Sequence, residues 1–253
     1  MATIYQTGIN CPSITQNGKY EPFDLQVARG QITNHSVVSI YGYQPSVGTS
    51  FIPTWENAST YAFPSSAVVM TVASASGATD AGVQVKINGL DANYNILSET
   101  VTLNASGTVN TTNSYFRINS IIITSGNAAG NITAKNGGTT YSQINAGINR
   151  SQSSVYTVPA GYNFYLYRAQ GFTSTVYTAS QFTTYRTQTT INNVTSVFAQ
   201  RPFVSNFLVD RTYPNMYAAT TDIQWQVAMN TGTAAVGLAF EGVQIINDQA
   251  TTF

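Results

Sequence analysis

Residues 83–103, VQVKINGLDANYNILSETVTL, constrain the fold of this chain more than any other stretch. Val83, Val85 and Ile87 alternate with Gln84, Lys86 and Asn88, the period of a half-buried strand. Residues 89–95 then supply Gly, Asp and Asn, which favour turns. Leu97, Val101 and Leu103 resume the alternation against Ser98, Thr100 and Thr102. A hairpin follows, with Ile87 opposite Glu99, Val85 opposite Val101 and Val83 opposite Leu103. Glu99 interrupts the apolar face, which places it near a wet end of the sheet.

Composition extends the same reading to the whole chain. Only 8% of the 253 residues are charged, against about 25% in an average globular protein. Thr, Ser, Asn, Gln and Gly carry the polarity, and with Val, Ile and Tyr they suit strands and turns better than helices. Hydrophobic residues make up 43% and aromatics 12%, enough for packed cores. A net charge of zero argues against a general nucleic-acid binder, which needs many cations to displace counterions. No acidic residue falls between Glu99 and Asp210, whereas Arg117, Lys135, Arg150, Arg168, Arg186 and Arg201 do. That asymmetry reads either as sparse charge falling unevenly or as a mildly basic surface facing an acidic partner.

Cys11 is the single cysteine, so no internal disulfide forms, which fits a reducing compartment. The N-terminus has no basic residue before Lys19 and no apolar centre, so it does not read as a signal peptide. No apolar run reaches the ~18 residues of a membrane span.

Along the chain, residues 1–20 lack periodicity and read as an arm, either frayed or lying across a neighbour. Strands are expected at 23–28 and 36–41. Residues 44–64 frame Phe51, Trp55, Tyr61 and Phe63 with prolines, as a loop that folds over a sandwich end or makes contacts. Further strands are expected at 67–73, in the hairpin, at 115–124 and at 131–134. Residues 135–154, with Gly137-Gly138 and Ala146-Gly147, have the composition of a linker. Strands resume at 155–158 and 162–167, then at 180–190, 194–199, 203–209 and 223–227. In the last strand Val236, Leu238 and Phe240 share a face, and after Gly242 the phase passes to Val243 and Ile245, which suggests a bulge.

Catalytic constellations are sparse. His35 is the only histidine, with Asp24 or Asp91 as its possible orienter and no nucleophile elbow beside it. It reads as a structural or surface residue. One His and one Cys cannot build a zinc site. Asp91-Ala92-Asn93-Tyr94-Asn95 imitates a calcium loop but has Ile96 where that loop needs Gly, and it reads as a hairpin turn. Asp210 and Asp222 flank Tyr213 and Tyr217, a conceivable sugar-binding edge with two carboxylates, read first as loop acids near core aromatics. The tyrosines at 162–167 read as an interface strand before a sugar-stacking platform.

Two stretches, FDLQVARGQITNHSVVSIYGY at 23–43 and the GLDANYN and ETVTLN parts of the hairpin, resemble virion structural proteins of marine tailed phages, including cyanophages. VYTVPAG at 155–161, opening a second β region, is similar too. The resemblance covers the first two thirds of the chain best. It implies a non-enzymatic protein assembled in an infected bacterial cytoplasm, of the head decoration or cement type, and it brings no catalytic residues.

The resulting expectation is an all-β protein with two β-sandwich domains of jelly-roll or Ig-like type. An N-terminal arm at 1–20 precedes a first domain at 21–140 and a second at 150–253. Its place would be the outer surface of the head. Its partners would be the major capsid protein and itself, as a homotrimer, with no cofactor, metal, nucleic acid or membrane. The candidate interface residues are Tyr5, Phe51, Trp55, Tyr61, Tyr165 and Tyr167.

Overall fold

The computed structural model describes residues 15–16, 19–57, 60–174 and 181–247. The fold is all-β. A short ladder joins Thr15–Gln16 (β1) to Lys19–Tyr20 (β2). Residues 23–28, expected as a strand, form the helix Phe23–Ala28 (α1). Apolar side chains at 23, 25 and 27 fit period two, but over six residues Phe23 and Val27 also share a helical face. The ends decide it. Pro22 carbonyl accepts from the Leu25 and Gln26 N–H groups, and Gln26 Nε2 donates to Glu21 O at 2.7 Å. Gly30, at φ +69°, lets the helix close through Gly30 N–H to Val27 O.

His35–Val47 (β3) and Ile52–Pro53 (β4) follow. Then come Val68–Ser74 (β5), Gln84–Leu90 (β6), Ile96–Thr102 (β7), Thr108–Tyr115 (β8), Arg117–Ser125 (β9), Ile132–Asn136 (β10) and Thr139–Ile144 (β11). Sheet β11-β10-β5-β8 packs on sheet β7-β6-β9. Met70, Val72, Ile132 and Ile144 from one sheet and Val85, Ile87 and Ile121 from the other fill one core.

The hairpin β6–β7 has the expected register, Val85 with Val101 and Ile87 with Glu99. Leu103 N–H donates to Val83 O at 2.9 Å. Glu99 has a specific task there. The β5–β8 ladder slips between Val69 and Thr71, and residues 111–113 bow out of it. Glu99 accepts from the N–H groups of Thr112 (2.7 Å) and Asn113 (3.0 Å) and from Asn113 Nδ2 (3.0 Å). Burial pushes its pKa up, but these bonds outweigh it and hold the carboxyl below its ordinary value. An acid thus replaces part of a broken ladder and ties one sheet edge to the other.

Residues 135–154 are not a linker. Gly137, at φ +56°, turns the β10–β11 hairpin, and residues 149–151 run along β9, with Ser151 N–H donating to Ile121 O. Only Tyr141 and Ile144 are large apolar residues in β11, too few for the strand to stand out in the sequence.

The second sandwich contains Val155–Thr157 (β12), Tyr162–Thr173 (β13), Thr183–Ile191 (β14), Val194–Phe203 (β15), Asn206–Tyr217 (β16), Asp222–Met229 (β17) and Ala234–Ile246 (β18). Sheet β12-β17-β14-β15, with β4 beside β17, faces sheet β16-β13-β18-β3. Trp225 stacks on Phe240 at 4.0 Å between centroids, amid Phe164, Tyr185, Tyr217 and Leu238.

β3 pairs with β18 along its length, from Val47 with Ala234 to His35 with Ile245. Residues 35–53 therefore belong to the second sandwich, although sequence position groups them with the first at 21–140. Gly42 makes this possible, because a side chain there would strike the Thr54 carbonyl.

The last strand also differs from expectation. Val236, Leu238, Phe240, Gly242 and Gln244 all point inward, and the Phe164 ring lies where a Gly242 side chain would stand. The bulge is on the neighbouring strand. Leu166 pairs with Gly242 and Arg168 with Glu241, leaving Tyr167 as the extra residue.

Candidate interface

The loop at 44–64 is where the expected contact residues cluster, and most of them turn inward. β4 hydrogen-bonds to β17, with Ile52 opposite Val227. Trp55, Tyr61 and Phe63 pack edge to face at 5.1 and 5.2 Å and close a small core against Val155. Trp55 and Tyr61 are buried at 1% and 5% exposure. They are spent on joining the two sandwiches and are withdrawn from any outside partner, contrary to expectation.

The same junction holds a buried ion pair. Arg117, at the start of β9, donates from Nε to Asp222 Oδ1 at 2.7 Å and from Nη2 to Oδ2 at 2.8 Å. Its Nη1 reaches the carbonyls of Phe116 (2.7 Å) and Pro64 (3.1 Å), and its guanidinium lies 3.9 Å over the Phe116 ring. Thr157 Oγ1 donates to Asp222 Oδ1 at 2.6 Å. Asn119 and Thr157 exchange two further bonds between the sandwiches. The hairpin tip joins in through Ala160 N–H to Tyr94 O at 2.8 Å.

Glu56 lies beside this junction with no cation paired to it among the described residues. Burial pushes its pKa up to about 7, against hydrogen bonds from the Gln152 and Asn145 backbone. Its Oε2 is buried and has no hydrogen-bond partner among the described residues.

The remaining candidates reach the surface to different degrees. Phe51 lies half-buried under Arg186, whose guanidinium is 3.9 Å from the ring centroid. Tyr165 is half-buried, opposite Val243 and Met216. Tyr167, on the bulge, is exposed beside a groove under α1 of about 610 Å³. Arg168, held at 2.6 Å by Asp210 and 3.4 Å by Glu241, lines that groove. Tyr5 and most of the expected arm lie outside the described residues.

Sequence reasoning missed the larger surface. Val37, Tyr41, Phe172, Leu208 and Met216 are exposed on the outer side of sheet β16-β13-β18-β3. Val194, Val197 and Tyr213 are exposed along the edge strands β15 and β16. Alternation marks each as one side of a strand, but it does not say which side lacks a covering layer.

The candidate chemical groups are dispersed. His35 Nδ1 is 2.8 Å from Thr33 O, and the ring packs edge-on to Phe23. The Asp91 carboxylate accepts from Asn93 N–H, Asn95 N–H and Asn95 Nδ2, an Asx turn that closes the hairpin. Asp222 is locked to Arg117 and Asp210 to Arg168, so each is already committed to its own cation. Arg117, Arg168 and Arg186, three of the six cations in the acid-free stretch, are engaged within the chain. Among the described residues, no group of three or more His, Cys, Asp and Glu side chains is placed to hold a metal, and no helix is long and apolar enough to cross a membrane.

No protein-family model and no curated protein matches the chain. Among solved structures, infectious bursal disease virus of the Gx strain is similar at 11% identity and a TM-score of 0.25, over 85% of this chain and 72% of that one. The Gt strain gives 10% and 0.22 over 85% and 73%, and the T=1 particles derived from that virus give 12% and 0.23 over 85% and 70%. At TM-scores this low the likeness carries no argument.

Proposed function

We propose that this chain is a non-enzymatic structural protein of a phage virion, a capsid decoration or cement protein that binds the outer shell and bridges neighbouring capsomers. One observation carries the reading. The outer side of sheet β16-β13-β18-β3 leaves Val37, Tyr41, Phe172, Leu208 and Met216 exposed on one sheet face. Apolar groups gathered on one sheet face mark a place where another protein sits. The junction below them holds both sandwiches together, which suits a bridging element. The resemblance of residues 23–43 and of the hairpin to phage virion proteins supports the same reading.

Burial of that face against the major capsid protein would favour the assembled shell by mass action. Purified protein added to shells that lack it is expected to bind saturably, in simple ratio to the capsid protein, and to raise the temperature at which the shells open. Leu208→Asp should weaken that binding about tenfold or more without altering the fold. Shells that neither bind the protein nor gain stability would contradict the reading. A second reading, host-surface recognition by a tail, neck or fibre component, draws on the groove beside Tyr167 and Arg168. Binding to host polysaccharide, lost in Tyr167→Ala, would favour it.

A further inference from the structure

Among the described residues, strand β15 ends its sheet, pairing with β14 on one side only. Asn192 and Asn193, at φ +50° and +61°, make the two-residue turn of the β14–β15 hairpin, and Ile191 opposite Val194 is the closing pair. In such a hairpin the closing pair is hydrogen-bonded, and alternate residues follow suit. Ser196 and Phe198 therefore direct their backbone groups to β14. Thr195 and Val197 direct theirs to the open side.

The regular stretch is short and has a centre. Thr187 pairs with Phe198, and the register then shifts, with Ala199 at φ +54°. A bulge thus closes the segment Val194-Thr195-Ser196-Val197-Phe198, whose midpoint is Ser196. Natural edges carry Lys, Pro or inward charge to block pairing. This segment carries none of them, and Arg201 and Pro202 come only after the bulge.

We infer that a second copy of this chain pairs with β15 edge to edge, antiparallel, about a two-fold axis at Ser196. Val194 then faces Phe198 of the second copy, and Thr195 faces Val197 of the second copy, so apolar groups meet apolar groups. Thr195 and Val197 exchange their free N–H and C=O groups across the axis. The segment is uncharged, so the axis brings no like charges together. Edge strand β16 runs beside β15 on the same side of the sandwich, with Phe203 against Phe207 at 4.9 Å and Phe198 against Tyr217 at 6.3 Å. Val194, Val197, Phe198 and Tyr213 along these edges are 38–86% exposed. At roughly 150–250 Å² for a full large side chain, they leave about 450 Å² of mostly apolar surface, a small interface to which the paired backbone of the two edges adds. The assembly unit is then a dimer, in place of the homotrimer expected from the sequence.

Sedimentation of the full chain tests this independently of where the protein works. The expected particle has twice the 27.2 kDa chain mass. Val197→Lys, an exposed position whose variant keeps the wild-type circular dichroism, should raise the dimer dissociation constant on the order of 100-fold. Ser196→Cys, made together with Cys11→Ser, should give a disulfide-linked dimer that reductant splits, because the axis sets the two cysteines opposite each other. A monomer at roughly 100 μM, an oligomer that Val197→Lys leaves intact, or no Ser196→Cys crosslink would overturn the inference.

Discussion

Glu56 and Arg117 lie at the same junction and solve the cost of burial in opposite ways. Arg117 meets Asp222 through two hydrogen bonds, and its remaining protons go to the carbonyls of Pro64 and Phe116 and, at 3.5 Å, to the Tyr94 hydroxyl. Among the described residues, Glu56 has no cation, accepts only from the Asn145 (3.3 Å) and Gln152 backbone, and has an orphan Oε2. Its folded pKa of about 7 lies above the ordinary value of 4.5. The sign follows from proton linkage: the folded state holds the proton more tightly, so Glu56 is favourable below about pH 4.5 and becomes costly as pH rises through 7. Glu56→Gln is therefore expected to stabilise the protein at pH 8 by about 1–3 kcal/mol and to change little at pH 5. Urea unfolding at the two pH values checks this, and equal effects at both would refute it. Neither role is visible in the sequence. Glu56 follows Trp55 in a proline-framed loop, and Asp222 is 105 residues from Arg117.

At the scale of elements, the hairpin was legible and the long pairings were not. Its two strands and turn fit within 21 residues, so alternation and turn chemistry together set the register. Alternation in β3 and β18 marks their inner faces, but it cannot say that strands nearly 200 residues apart are neighbours. β11 was hidden by its few apolar side chains, and α1 by a length too short to separate period two from period 3.6. The bulge shows the same limit. A phase change was expected in β18 at Gly242, whereas the glycine keeps its phase and makes room for Phe164. Gly242→Ala is expected to destabilise the protein by about 1–3 kcal/mol through overpacking against that ring. Chemical denaturation measures it, and a neutral result would mean that Phe164 does not need the space.

At the scale of the molecule, the two sandwiches share chain. The chain leaves the second sandwich for the first after residues 35–53, residues 149–158 return, and Arg117–Asp222 crosses between them. The pair is buried on both sides, so removing one member leaves the other as an unpaired charge, a loss of about 3–5 kcal/mol. Calorimetry of the wild type is expected to give a single unfolding transition, and Arg117→Ala to split it or lower it steeply. Two separate transitions in the wild type would contradict a shared junction. Among the described residues, an exposed apolar sheet face and an open strand edge suit repeated lateral contact, the basis of the decoration reading. Copy number per virion tests that reading most directly, by quantitative mass spectrometry with the major capsid protein as internal standard. The account predicts hundreds of copies in simple ratio to the capsid protein. A dozen copies or fewer, or none, would contradict it.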